Sequence, residues 1–205
     1  MTEEAKIFNL ALVGDSKSGK TCLVNRYLDG SFNPDQDPTT GAAYFTKDIK
    51  INDEDFKLNI WDTSGQPKYE SVFNLSIKYS NAFIIVCDVE NEDPISSLSK
   101  WHNKIMINAV KESPSIAIFI NKIDLETPEN KDNVRKIEEF GDSLNISTFK
   151  GSALDNINTV VVFKKIIKIA FSISSTIIRK SLTLSSKRHS KKIIENEKRR
   201  QSCCN

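Results

Sequence analysis

Apolar residues along this chain fall into short blocks of two kinds. Lys6–Val13 (KIFNLALV), Ala82–Asp88 (AFIIVCD) and Ser115–Ile120 (SIAIFI) are nearly continuous apolar runs of strand length, the pattern of strands covered on both faces. Between them the apolar residues recur at helical spacing. Thr21–Asp29 (TCLVNRYLD) reads as a helix stopped by Gly30. A long helix starts near Pro94, a good first-turn residue, and runs to about Lys111. A polar helix covers Asn130–Phe140 and a final one Asn158–Ser172, and a polar helical segment precedes Ala82. Tyr44–Ile51 and Phe56–Trp61 are strands joined by the polar turn Asn52-Asp53-Glu54-Asp55, an antiparallel hairpin, and Ile146–Lys150 is a short strand. Ser31–Gly41 and Asp62–Lys68 are loops. Strands and helices alternate after the hairpin, and there is no internal repeat. The expected fold is α/β: a mostly parallel six-stranded sheet with one antiparallel edge strand and helices on both faces.

Composition adds a boundary. With 205 residues, 39% hydrophobic and 27% charged, the chain suits one domain and a short extension. No run is long enough to span a bilayer and MTEEAK is not a signal peptide, so the expectation is a protein made and kept in the cytosol. Cys22 and Cys87 then read as small buried hydrophobes in a reducing compartment. The net charge of +2 conceals an asymmetry: from Phe171 onward nine Lys/Arg stand against two Glu, a net of +7, which leaves residues 1–170 at −5. Beyond Ser174 the composition turns to Ser, Lys and Arg. The expected division is a folded domain over 1–173 and a flexible basic tail over 174–205. A mildly acidic body with a basic tail is not a nucleic-acid-binding profile; the tail is suited to an anionic surface.

The candidate chemistry sits at strand ends. Gly14-Asp15-Ser16-Lys17-Ser18-Gly19-Lys20-Thr21 follows the first strand, opens the first helix and satisfies G-x-x-x-x-G-K-[ST]. Its backbone N–H groups can wrap a pyrophosphate at a helix N-terminus, Lys20 can reach the β- and γ-phosphates, and the Thr21 hydroxyl can ligate Mg²⁺, with Cys22 next in line. Asp62 and Gly65 lie in WDTSGQ directly after a strand: Asp62 is suited to holding Mg²⁺ through water, and the Gly65 N–H to a terminal phosphate oxygen. Asn121-Lys122-Ile123-Asp124 follows SIAIFI, where a carboxylate can accept from N1–H and the exocyclic amine of guanine. Ser152-Ala153, after the short strand, would set a backbone N–H near the guanine oxygen.

Together GDSKSGKT, TTG, WDTSGQ, NKID and SA resemble a small GTPase of the Ras superfamily, over residues 6 to about 170. The resemblance implies the phosphate-loop small-GTPase fold. It also implies that Thr39, 18 residues after Thr21, ligates Mg²⁺ and senses the γ-phosphate, although Thr40 beside it leaves two candidate threonines. It implies that Phe32 packs edge-on against the guanine, that Gln66 orients the attacking water, and that Leu154 completes the base loop where the family has Lys. Pro67 stands where Glu is usual after that glutamine; it biases Gln66 towards extended dihedrals and is expected to alter hydrolysis. Ser16 and Lys17 stand where Ras has glycines. The ending Cys203-Cys204-Asn205 is not a C-a-a-X box and resembles the paired cysteines of the Rab family, which carry two geranylgeranyl groups. Two lipid chains beside a basic stretch give stable attachment. Gly41-Ala42-Ala43-Tyr44 is most similar to the early-endosome Rab subgroup. The implied function is a GTP/GDP switch in vesicle trafficking on the cytosolic face of an intracellular membrane. The implied partners are an exchange factor, a GTPase-activating protein, an escort or GDI protein, and effectors reading Tyr44 and Trp61. Alternatives are a GTP-binding scaffold with little hydrolysis and a non-Rab Ras-like signalling GTPase.

Overall fold

The structure is a computed structural model and describes residues 6–111 and 113–172. Cys203, Cys204 and the basic tail lie outside the described residues. In chain order the elements are β1 (Lys6–Val13), α1 (Lys20–Leu28), β2 (Ala42–Ile51), β3 (Glu54–Thr63), a 3₁₀ turn (Pro67–Tyr69), α2 (Glu70–Tyr79), β4 (Ala82–Asp88), α3 (Pro94–Asn108), β5 (Ser115–Asn121), a second 3₁₀ turn (Ile123–Leu125), α4 (Lys131–Ser143) and β6 (Ser147–Lys150). A final helix, α5, starts at 159 and is helical to 172, the last described residue. The chain divides into two units: Met1–Lys168 carries the whole sheet, and the four described residues of Ile169–Asn205 are helical. Among the described residues no helix is long and apolar enough to cross a membrane.

The sheet order is β2-β3-β1-β4-β5-β6, with β2 antiparallel to β3 at one edge and every other pair parallel. This is the expected architecture. It follows from the two-residue period of the strands. Ala11 and Val13 of β1, Phe83 and Ile85 of β4, and Ile118 and Ile120 of β5 share one core with Phe73, Ile77, Leu98, Trp101, Ile105, Val134 and Ile137 from α2, α3 and α4. The alternate residues Leu10, Leu12, Leu58 and Ile60 are equally buried, as are Leu23 and Val24 of α1. There Tyr27 of α1 stacks on Phe163 of α5, centroids 4.0 Å apart and 9° from parallel. One buried polar chain interrupts the apolar sheet. Asn59 Nδ2 donates to Asn9 Oδ1 (2.9 Å), and Asn9 N–H donates to Asn81 Oδ1 (2.9 Å). A slip of the β1–β3 register would leave these amides unpaired.

Several boundaries differ from the expectation: β2 begins two residues early at Ala42, and β3 runs two residues on to Thr63, taking Asp62 out of the expected loop. The hairpin turn is only Asn52-Asp53, and Glu54 and Asp55 belong to β3. Both turn residues take positive φ (51° and 64°), which Asn and Asp tolerate; two such residues give the tight turn whose twist matches its strands. Helix α3 stops at Asn108 rather than about Lys111. Ile105 is its last fully buried residue, Ile107 is 80% exposed, and Ala109 is already extended, so no packed face remains to hold another turn. Helix α4 runs three residues past Phe140, because Gly141 lets it lie against β6.

Gly141 generates a stability prediction. A Cβ there would collide with Thr148 Oγ1 and come within 3.0 Å of Ile146 O, and Thr148 Oγ1 is itself buried without a partner. Gly→Ala in a helix is ordinarily favourable by about 1 kcal/mol. Here Gly141→Ala is expected to destabilise by about 1–3 kcal/mol through overpacking, seen as a lower urea midpoint at constant slope. Part of the loss should return in a Thr148→Ala background, and a neutral or stabilised single variant would contradict the packing account.

Candidate functional site

The parallel strands end together, and their C-terminal ends carry the polar residues. A cleft of about 540 Å³ opens there, lined by the phosphate-loop tip and α1 start, Phe32, Thr39, Gly65-Gln66, Asn121, Lys122, Asp124 and Ala153-Leu154. These segments come from five separate loops and bring most of the expected site residues, Cys22 among them, onto one space; Gly14, Asp15, Ser18, Asp62 and Ser152 do not line it. Pro34, Gln36, Asp37, Pro38 and Leu125 also line it and carry no motif of their own.

At the phosphate end the loop wraps a lysine. Lys20 Nζ donates to Gly14 O (3.0 Å) and Asp15 O (2.7 Å) and lies 3.5 Å from Ser18 Oγ. Burial pulls its pKa down to about 8, against the opposing charges of Asp62 and Asp15. An anion in the cleft would meet an ammonium already aimed by the loop carbonyls. Gly65 lies directly on the loop backbone: a side chain there would strike Ser16 N, Asp15 C and Gly14 O (2.6 Å from the last). Ser16 and Lys17 stand exposed at the loop tip.

Asp15 departs from the expectation. Its carboxylate turns away from the cleft to α3, where it accepts from Trp101 Nε1 (2.9 Å), the Ser97 hydroxyl and Asn91 Nδ2 (3.4 Å), with Lys100 Nζ at 3.3 Å. Burial pushes its pKa up, but the hydrogen bonds from Ser97 and Trp101 and the charge of Lys100 outweigh that and hold it below the ordinary value. Asp15 therefore anchors the phosphate loop to α3. Trp101 in turn packs edge-on against Phe73 of α2 (5.2 Å), and Lys104 of α3 pairs with Glu70 of α2 (2.6 Å).

Three oxygens meet beside the loop. Thr21 Oγ1 donates to Asp62 Oδ2 (2.6 Å) and lies 2.7 Å from Thr39 Oγ1, which is 3.4 Å from the same carboxylate oxygen. Thr40 is exposed and outside the cluster, so of the two threonines it is Thr39 that meets Thr21 and Asp62. Asp62 is fully buried, burial pushes its carboxyl pKa up, and its Oδ1 has no hydrogen-bond partner. An orphaned carboxylate oxygen next to two hydroxyls suits a hard cation with oxygen ligands. Among the described residues no group of three His, Cys, Asp or Glu side chains could hold a metal, so such an ion would depend on hydroxyls, water and ligand oxygens as well. Mg²⁺ fits that donor set. Gln66 is half-buried with extended dihedrals (φ −92°, ψ 134°), the conformation expected before Pro67.

At the opposite end, Asn121 joins two loops. Its Nδ2 donates to Ser18 O (2.9 Å) and its Oδ1 accepts from Ala153 N (3.0 Å). Gly19 (φ 89°) makes the first contact possible, since a Cβ would fall on Asn121 Nδ2. The Ala153 N–H, expected near the base, is thus bonded to Asn121. Asp124 is exposed at the cleft rather than buried, with one oxygen accepting from the Ser152 hydroxyl, and Lys122 pairs with Asp88 at the end of β4. Phe32 lies under the Arg26 guanidinium, 5.2 Å from its centroid. Arg26 and Trp101 were not legible as site residues: their partners lie 127 and 86 residues away in the chain. Further out, Tyr44 is half-exposed and meets Trp61 edge-on (4.8 Å).

Comparison with known proteins agrees with this geometry. The Ras family pattern matches residues 9–172. The chain is 30% identical to the Ras-related protein Rab-3A of Homo sapiens over 163 residues, 80% of this chain and 73% of that one. It is 32% identical to the human Ras-related protein Rab-30 over 157 residues, 77% and 76% of the two chains. It is also 30% identical to the Ras-related protein Rab-7a of Paramecium octaurelia over 175 residues, 83% and 84%. The Ras family match over most of the chain, with identity to several Rab proteins across more than two thirds of their length, places the chain in the Rab family of Ras-related small GTPases, enzymes that hydrolyse GTP.

Proposed function

We propose that this protein is a GTP/GDP switch that regulates vesicle trafficking at an intracellular membrane, endosomal by the likeness of its Gly41–Tyr44 segment, with slow unaided hydrolysis. The observation that carries the switch reading is the meeting of Thr39, Thr21 and Asp62 beside a phosphate loop on which Gly65 rests. Two loops far apart in sequence are joined where a γ-phosphate would lie. Phosphate loop N–H groups and Lys20 hold the phosphates, and Thr39 and the Gly65 N–H report the γ-phosphate. Asp124 accepts from the guanine edge, Phe32 covers the base, and Lys122, paired with Asp88, lines the same end of the cleft. Thr21, Thr39 and, through water, Asp62 would hold Mg²⁺, which neutralises charge on the phosphates when bound. Gln66 orients the attacking water. Loss of the γ-phosphate removes the ligand that Thr39 and Gly65 share, and both loops are released.

The same reading gives the partners. Effectors, an exchange factor and a GTPase-activating protein read the two switch loops, with Tyr44 and Trp61 on the effector side. Residues 1–173 form the GTP-binding domain. The basic tail 174–205, prenylated on Cys203 and Cys204, holds the protein on the cytosolic leaflet, and a GDI or escort protein carries it through the cytosol.

Three measurements test this. Asp124→Asn replaces an acceptor by a donor: GDP affinity should fall by at least about a hundredfold while xanthosine diphosphate binding improves, and retained GDP affinity would defeat the base assignment. Pro67→Glu restores a backbone donor after Gln66 and should raise single-turnover GTP hydrolysis by about threefold or more, whereas an unchanged rate rules out proline as the brake. A tagged full-length chain should label internal membranes and a Cys203→Ser/Cys204→Ser double variant should be diffuse; a diffuse wild type would defeat the membrane role.

A further inference from the structure

We propose that Arg26, on α1 and outside the cleft, is a positioning residue for the guanine pocket, clamping its two walls to each other. Its Nε donates to Ala153 O (2.7 Å) and its Nη2 to Leu154 O (2.7 Å), both on the base loop. Its Nη1 donates to Gly30 O (2.6 Å), where α1 ends and the Phe32 segment begins. The guanidinium plane lies over Phe32 itself. One rigid fork therefore holds both sides of the base site, and among the described residues no carboxylate lies within salt-bridge range of it.

The base loop needs such a clamp. It is a small excursion after β6, closed by a single bridge between Ser152 and Ile157, with Asn156 and Asn158 at positive φ (57° each). The Ala153 and Leu154 carbonyls have no sheet neighbour to bond. A lysine ammonium can reach more than one carbonyl, as Lys47 does, but its donors share a single nitrogen and lack the spread, planar fork that spans three separated acceptors. Arg26 sits about one and a half turns along α1 from Lys20 and Thr21, so its loss acts at the base end and leaves the γ-phosphate end in place. Arg26 thereby sets how long guanine nucleotide stays and how sharply the base is read, not how fast bound GTP is cleaved.

This inference rests on the guanine reading of the cleft, and the test separates the two. Wild type, Arg26→Met, Arg26→Lys and Lys47→Met are compared as full-length proteins for release of a fluorescent GDP analogue, for affinity towards GDP and xanthosine diphosphate, and for cleavage of preloaded GTP. Lys47 caps the same helix, donating to Tyr27 O (2.8 Å) and Leu28 O (3.1 Å), without touching the base loop. Arg26→Met should release GDP at least about tenfold faster, with Arg26→Lys intermediate. The preference for GDP over xanthosine diphosphate should fall in both Arg26 variants, cleavage should hold steady, and Lys47→Met should keep the wild-type preference. General destabilisation lowers both affinities by one factor and leaves their ratio alone, so an unchanged ratio, or an equal drop in Lys47→Met, overturns the proposal. If Arg26→Met does not fold, Arg26→Lys decides by the same ratio. A wild type without preference for GDP removes the guanine reading itself.

Discussion

The carboxamide of Asn121 is the contact on which the rest of the cleft depends. It is buried at the end of β5, gives a donor to the phosphate loop at Ser18 and takes one from the base loop at Ala153. Neither loop has a sheet partner at that point, so the amide supplies the pairing that a strand would otherwise supply. It also forces a choice elsewhere in the chain: residue 19 must be glycine, because any Cβ would occupy the amide's place. The two ends of the cleft are held at a fixed distance by one side chain, and the nucleotide must span it.

Around this contact the polar groups are buried at a cost, and each case marks function. Lys20 and Asp62 are both withdrawn from water, and burial moves the pKa of each towards its neutral form. A core built only for stability would not place a lysine, a carboxylate with an orphaned oxygen and two threonine hydroxyls together. Part of that cost is offset because the charges of Lys20 and Asp62 each oppose the shift that burial gives the other. By contrast the Asp15 carboxylate is fully occupied by Ser97, Trp101 and Lys100 and has become part of the frame. It ties the phosphate loop to α3, and Trp101 and Lys104 carry that tie on to α2, the helix that follows Gln66.

Most of the fold was legible because its signals are local. Continuous apolar runs in β1, β4 and β5 and three-and-four spacing in α1 and α3 are each set by residues within one element, and the motifs follow those strands directly. What was not legible depends on contacts between distant residues. The sequence GDSKSGKT says that a loop is present, yet it does not say that Asp15 will face a tryptophan 86 positions on. NKID is the pattern expected of a base site, yet it hides that the Ala153 N–H is committed to Asn121, or that Asp124 lies at the surface of the cleft. Arg26 carried no motif, and nothing near it in the chain announced its three carbonyl partners. That Thr39 and not Thr40 lies against Thr21 and Asp62 likewise depends on residues far off in the chain. The end of α3 was missed for a different reason: exposed apolar residues such as Ile107 continue the helical spacing after the buried face has run out.

The segment between α1 and β2 is fastened at both ends. Lys47 reaches back from β2 to the last carbonyls of α1, and the Ser64 N–H holds Gly41 O (2.9 Å). The residues between are a rope slung from two fixed pegs, not a free arm. The penalty for confining such a span grows only with the logarithm of its length, and tying down its ends in advance removes much of it. Confined in this way the span has little slack, so a small displacement at Thr39 is enough to tighten or loosen the whole segment.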